Sequence, residues 1–239
     1  MKIKFIANSQ DYYETYPYPI PASENKPSWY AKMPSFINDK LEVDVSSGDP
    51  MGTVKICMPF LDAMGAGYHF PLPCDIWVKK IGNQVTFKPA SDTLELISGH
   101  DKKQYEHYPI DDIYYDMVFK WINNWIVNTP KGWSCLFTHP LHYDELPFKV
   151  LSGVVDTDKF PQPVNFAFLF KKDFEGLLKK GTPIAQVIPF KRETFIHEYN
   201  HDTGFFRKIW NKAHTEFFFR YKKNFWFPKI YKQKSCPFS

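Results

Sequence analysis

The sequence predicts a mainly β domain that opens with a proline-rich arm and closes with an amphipathic helix. Three observations carry that prediction. Short runs of β-branched and aromatic residues, divided by Gly, Pro and Asn, fill most of the chain after residue 54. Aromatic residues make up 18% of the chain, and 20 prolines stand against 11 glycines, a composition suited to short strands joined by rigid turns. Helical spacing of apolar residues is sustained only near the C-terminus, over 203–225.

Taken in order, IKFI near the start reads as a short strand. The stretch YPYPIPASENKPSWYAKMPSF carries Pro17, Pro19, Pro21, Pro27 and Pro34. Proline lacks a backbone donor and holds its predecessor extended, so residues 1–50 are expected to form an arm lying over a body, anchored by Trp29 and Tyr30. The runs TVKIC, CDIWVKKI, QVTFKP and TLELIS then read as strands. In FKWINNWIV, Phe119, Trp121, Asn123, Trp125 and Val127 alternate on one face, which predicts a strand over 119–127. A turn on Pro130, Lys131 and Gly132 follows, and WSCLF, VLSGVVDTD, VNFAFLF and GTPIAQVIPF all have strand character. Val154, Val155, Phe166, Phe168, Ile184, Val187 and Ile188 are the expected core. In the closing helix Phe206, Trp210, Ala213, Phe217 and Tyr221 share a face, Asp202 or Thr203 can cap its start, and Pro228 ends any continuation.

A chain of 239 residues, 44% hydrophobic, can bury one large core, and the organisation expected is an arm (1–50), a β domain (51–195) and a basic helix with its tail (196–239). The four cysteines are scattered without a CxxC pair, which argues against a disulfide framework or a zinc ribbon. MKIKFIANSQ has too short an apolar run for a signal peptide, and no stretch of 18 apolar residues exists. The expectation is a protein neither secreted nor embedded in a membrane. Net charge is +4, but residues 201–239 hold nine Lys/Arg against two Asp/Glu. Such a basic segment can meet nucleic acid, or the acidic body of a neighbouring subunit.

Residues 150–192 read VLSGVVDTDKFPQPVNFAFLFKKDFEGLLKKGTPIAQVIPFKR. The order GVVDTD, an alternating apolar strand, then KKGTPIAQVI resembles the third and fourth motifs of the dUTPase and dCTP-deaminase superfamily, GVIDxDY and GxRIAQ. AGYHFPLPCDI resembles the first motif, AGxDL, and TPKGWSCLFTHPL occupies the place of the second. The resemblance implies a dUTPase-like jelly roll and a homo-oligomer, with a trimer as the family's form. It assigns Asp156 as catalytic base or deoxyribose anchor and Gln186 as a phosphate neighbour, with Tyr68 and Phe160 as further ligand-binding residues. The span 54–192 is also similar to proteins of tailed phages, sharing TPKGWSCLF, GVVDTD and VIPFKRE, which points to the cytoplasm of an infected host or to a virion.

The chain departs from the superfamily motifs where phosphate would be held. His69 stands in place of an Asp, Thr138-His139-Pro140-Leu141 in place of RSGLA, and Lys159-Phe160 in place of the stacking Tyr. A triphosphate needs directed cations and backbone donors, and the missing Arg–Ser pair supplies most of them. The expectation is therefore a phage-type protein that binds or builds rather than catalyses, with a phage or host protein as partner and without a cofactor. The alternative from the same resemblance is a nucleotide enzyme using Asp156, Gln186 and Mg.

Two patterns suggest metal chemistry instead. His142-Tyr143-Asp144 followed by His197 and Arg207 matches HxD…H…R. Two His and one carboxylate can hold Fe(II) with open positions, while an Arg binds 2-oxoglutarate, so an oxygenase on a jelly roll is a further alternative. His197-Glu198-Tyr199-Asn200-His201 is formally HExxH, but the residues before it lack the helical stripe that would bring both His to one zinc. GxxxxGK[ST], GxGxxG and GxSxG do not occur. RYKKNFWFPKIYKQK interleaves basic and aromatic residues in a manner suited to stacking on single-stranded nucleic acid.

Overall fold

The computed structural model describes residues 1–37, 43, 51–199, 201, 203–214 and 221–232. Its elements, in chain order, are β1 (Lys4–Ala7), α1 (Gln10–Thr15), β2 (Ile20–Pro21), α2 (Ser28–Lys32), α3 (Met58–Met64), β3 (Tyr68–Pro71), β4 (Ile76–Ile81), β5 (Gln84–Pro89), β6 (Ile97–Gly99), β7 (Phe119–Trp121), β8 (Trp125–Asn128) and β9 (Trp133–Thr138). There follow β10 (Phe148–Val150), β11 (Gly153–Val155), β12 (Phe166–Phe170), β13 (Gly176–Leu178), β14 (Pro183–Lys191) and α4 (Thr203–His214). The protein is mainly β, and every pairing between these strands is antiparallel.

The chain divides into two compact units. The larger takes residues 1–25 and 66–192 and includes Tyr231 and Lys232. It holds a five-stranded sheet in the order β11-β9-β14-β3-β2 and a four-stranded sheet in the order β10-β12-β7-β6. Beside these are a three-stranded sheet, β13-β4-β5, and the pair β1-β8. Rings join the sheets into one core. Phe166 of the four-stranded sheet meets Phe70 and Phe137 of the five-stranded sheet at 5.5 and 5.8 Å, and Phe87 of β5 meets Phe119 at 5.2 Å. Within the four-stranded sheet Trp121 stacks on Phe168, centroids 4.3 Å apart and planes 13° from parallel. The buried aromatic mass explains how such short strands cohere, since each ring removes on the order of 150–250 Å² of surface from water.

Residues 119–127 do not form one strand. All five alternating residues are buried, as their period requires, but the chain leaves the four-stranded sheet after Trp121 and enters β8, which pairs with β1. Asn123 makes the corner. Its Nδ2 donates to the Trp125 carbonyl at 2.7 Å, its Oδ1 accepts from Trp125 N at 3.0 Å, and its own N–H donates to Asn165 Oδ1 at 3.0 Å. A side-chain amide thus replaces the ladder bonds that a change of sheet forfeits.

Other expectations are corrected in the same way. Val154 is 61% exposed, on the opposite face of β11 from the half-buried Val155; Ile188 is also half-buried, and Phe166, Phe168, Ile184 and Val187 are buried. TVKIC is not a strand. Val54–Ile56 is a 3-10 turn capped by Thr53, whose hydroxyl accepts from Lys55 N at 3.2 Å, and it leads into α3 with Pro59 in the first turn. From TLELIS only Ile97 and Ser98 are strand, opening β6.

The first 25 residues belong to the larger unit by strand pairing, β1 on β8 and β2 on β3, with Ser9 capping α1 through a 3.1 Å bond from Tyr12 N. The smaller unit takes residues 26–65 and 193–230. In it Tyr30 is buried, its hydroxyl donating to the Lys55 carbonyl at 3.0 Å, and Trp226 Nε1 donates to Asp62 at 2.9 Å. The expected helix over 203–225 is α4 over Thr203–His214, followed at Tyr221–Phe225 by a π-helical turn; Asp202, named as a cap, and Phe217 lie outside the described residues. No helix among the described residues is long and apolar enough to cross a membrane.

Candidate functional site

GVVDTD ends β11 and turns back over the start of β9. After Val155 the chain turns, Lys159 N and Phe160 N both donating to the Asp156 carbonyl, and the turn brings the Asp156 and Asp158 carboxylates to one guanidinium. Thr157 is buried, its hydroxyl sharing a 2.7 Å bond with Thr129 and reaching Cys135 Sγ at 3.4 Å. Both carboxylates meet Arg192, which follows β14. The guanidinium is bidentate on Asp158 at 2.8 and 2.5 Å, and its Nη1 lies 3.1 Å from Asp156 Oδ1. Nη1 also donates to Ser134 Oγ and to the Trp133 carbonyl, both at 2.9 Å, while Ser134 Oγ donates to Asp156 Oδ1 at 2.7 Å.

The Asp158 side chain is only 3% exposed and accepts a further bond from Gly132 N at 2.7 Å. The Arg192 bonds, and then the Gly132 amide, hold its carboxyl well below the ordinary carboxylate range, at about 2. Asp156 is half exposed, but its Oδ1 already accepts from a hydroxyl and faces a guanidinium. The cluster ties the ends of β9, β11 and β14 together. Burial pushes the adjacent Cys135 thiol up to about 11, so it stays protonated and unreactive at neutral pH.

Gln186 sits elsewhere. On β14 it lies in register with Thr138 of β9 and His69 of β3, and it is fully buried. Its Oε1 accepts from Leu141 N and its Nε2 donates to the Ala66 carbonyl, both at 2.7 Å. The Ala66–Tyr68 approach depends on Gly67. At φ +69, a Cβ there would stand 2.0 Å from the Val187 carbonyl oxygen. Asp156 follows Val155, which is aligned through Cys135 with Pro189, so its level on β14 is four residues from Gln186, about 13 Å at 3.3 Å per residue. The structure does not bring Asp156 and Gln186 into one cleft.

His69, where the superfamily motif has Asp, is fully buried with its ring edge-on to Tyr143 at 5.4 Å. Burial lowers its pKa to about 4, the nearby Gln186 side chain offsetting part of the effect. Phe160 is exposed, in the turn that Asp156 closes by accepting from the Phe160 N–H at 3.0 Å. Tyr68 is half-buried and lines a cleft described below.

His142 adopts φ 64 in a turn, Asp144 is exposed, and His197 is exposed in the smaller unit. His197–Tyr199 lie outside any helix, so the spacing that makes HExxH a zinc motif is not realised over those residues; Asn200 is outside the described set. Among the described residues no group of three His, Cys, Asp or Glu side chains is placed to hold a metal ion.

Asp158, Arg192 and Ser134 were not singled out from sequence. The D-T-D alternation was the available signal for Asp158. Its partner is 34 residues away in the chain, and the β11–β9 and β9–β14 pairings together make them neighbours. No protein-family model, curated protein or solved structure matches the chain.

Proposed function

We propose that this is a phage-type protein with a dUTPase-like jelly roll serving a non-catalytic, binding or structural role. The observation that carries the reading is where the motif residues spend their bonds. Asp156 commits its Oδ1 to Ser134 and Arg192, and Gln186 commits its amide to Leu141 and Ala66. A general base needs a lone pair directed at its substrate, and a phosphate ligand needs an accessible donor. Here Gln186 is a buried, satisfied structural amide, and Asp156 spends one oxygen on tying strand ends together.

The building side of the reading is supported by the exposed segment before α4. Phe195, Ile196 and Tyr199 are 84%, 95% and 92% exposed, and Phe206 and Trp210 on α4 are also exposed. Apolar exposure of that density marks a protein-binding surface. With the basic segment 201–239, it favours a second copy of the chain as partner, giving a homo-oligomer.

The test is hydrolysis of dUTP and dCTP with magnesium by the purified chain, alongside Asp156→Asn. No turnover is expected from either. Turnover abolished by Asp156→Asn in a protein that melts normally would overturn the non-catalytic reading. Light scattering should give a mass above one chain, lowered by Ile196→Asp.

A further inference from the structure

The larger unit carries a cleft of about 390 Å³, lined by none of Asp156, Asp158, Arg192 and Gln186 and within the range of small-molecule sites. Phe5, Tyr13, Tyr18, Tyr68 and Trp125 line it. Their rings meet steeply. Tyr13 and Tyr18 are edge-on at 5.3 Å, Tyr18 and Trp125 lie 52° apart at 5.5 Å, and Phe5 and Tyr68 are edge-on at 4.9 Å. A flat ring entering the cleft can therefore stack on one wall and meet another edge-on, both favourable for aromatic quadrupoles. The walls are rooted in the core. Trp125 is buried, and Phe5, Tyr13 and Tyr18 pack against the main cluster, so little ordering is left to be done on binding.

The polar character of the cleft is one-sided. Lys2 and Lys232 line it, both exposed, and no described carboxylate does. The Trp125 indole N–H is buried without an acceptor among the described residues. Aromatic boxes that take quaternary ammonium groups do so through ring faces, and two ammonium groups at the same site oppose a cation. An anion gains from both lysines instead.

We propose that this cleft is a binding site for a planar aromatic ring that carries an anionic group. The rings take the flat body and the lysines take the charge. The site does not depend on whether the motif residues catalyse anything, and its test is separate from the hydrolysis assay.

The experiment is calorimetric titration of the full chain with three anionic probes, adenosine 5′-monophosphate, phenyl phosphate and indole-3-acetate, each against a neutral counterpart (adenosine, benzyl alcohol and indole-3-ethanol). At least one anionic probe is expected to bind about tenfold or more tightly than its counterpart. Binding confined to the monophosphate identifies a nucleotide, binding of phenyl phosphate an aryl phosphate, and binding of indole-3-acetate an aryl carboxylate. The double variant Lys2→Glu with Lys232→Glu changes only exposed side chains and should weaken that binding by a similar factor at unchanged melting temperature. Tyr18→Leu should weaken charged and neutral probes alike. Absence of binding by all three anions, equal binding of the neutral counterparts, or indifference to the lysine variant overturns the proposal.

Discussion

Acidification from pH 7 to pH 5 should destabilise this protein through His69, and the size of the effect follows from where the ring sits. His69 is on β3, fully buried, with Tyr143 edge-on to it and the Gln186 side chain beside it in the ladder. Burial favours the neutral ring and lowers its pKa from the ordinary 6.5 to about 4. Above pH 6.5 the ring is neutral in folded and unfolded chains alike. As pH falls below 6.5 the unfolded chain takes up a proton that the folded protein refuses, so stability present above 6.5 is lost progressively until the folded ring also charges near 4. The slope is roughly 1.4 kcal/mol per pH unit in that window, and the loss between pH 7 and pH 5 comes to about 2 kcal/mol. His139 is also held below its ordinary value by burial and contributes with the same sign, so the wild-type curve alone does not isolate His69. The assay is urea unfolding at half-unit steps from pH 7.5 to 4.5 for the wild type and for His69→Leu, which is close in volume. The variant retains His139 and every carboxylate, so on going to pH 5 the wild type should lose about 2 kcal/mol more than the variant does. Parallel curves would refute the reasoning, since a ring free to charge in the folded state gives no such difference.

Further predictions concern the core and the strand ties. Phe168→Ala removes a fully buried ring from its stack on Trp121 and should cost about 3–5 kcal/mol, read as a lowered urea midpoint. Gly67→Ala places a Cβ 2.0 Å from the Val187 carbonyl at a left-handed φ, and its cost should exceed the ~1–2 kcal/mol of the backbone conformation alone; yield and thermal melting report it. Arg192→Lys keeps the charge but cannot span both Asp158 oxygens while also reaching Ser134, so the melting temperature should fall although net charge is unchanged. Asn123→Ala removes both side-chain bonds to Trp125 and should cost about 1–3 kcal/mol, measured by urea unfolding.

The strands whose identity is local were legible. IWVKKI and QVTFKP form β4 and β5 around Gly82-Asn83, with Gly82 at φ 59 as the turn requires, and WSCLF and PIAQVIPF lie within β9 and β14. Alternation also marked Phe119, Trp121, Asn123, Trp125 and Val127 as buried. What alternation cannot carry is the sheet a residue belongs to, because period 2 is the same on either side of a corner. The switch at Asn123 needed Asn165 and β1 to be in place. Val154 and Val155 show the same limit: adjacent residues of β11 take opposite faces, and local apolarity does not say which of the two faces is covered.

The candidate site divides the same way. Chemical types and their local order are properties of the sequence, so Asp156, Gln186, His69 and Tyr68 could all be named from it. Their partners could not. Arg192 reaches Asp158 across 34 residues, Leu141 and Ala66 reach Gln186 across 45 and 120, and Lys232 joins Phe5 and Trp125 at one cleft. The amino-acid sequence by itself determined that the chain is mainly β, where runs such as IWVKKI, QVTFKP and WSCLF become strands, and the buried face of 119–127, because these follow from side-chain period and turn chemistry within a few residues. The tertiary structure alone decided which carboxylate is tied, which amide is sealed inside and which rings line a cleft. Those outcomes depend on long-range pairing, where hydrogen bonds and burial are satisfied jointly by segments that carry no local record of one another.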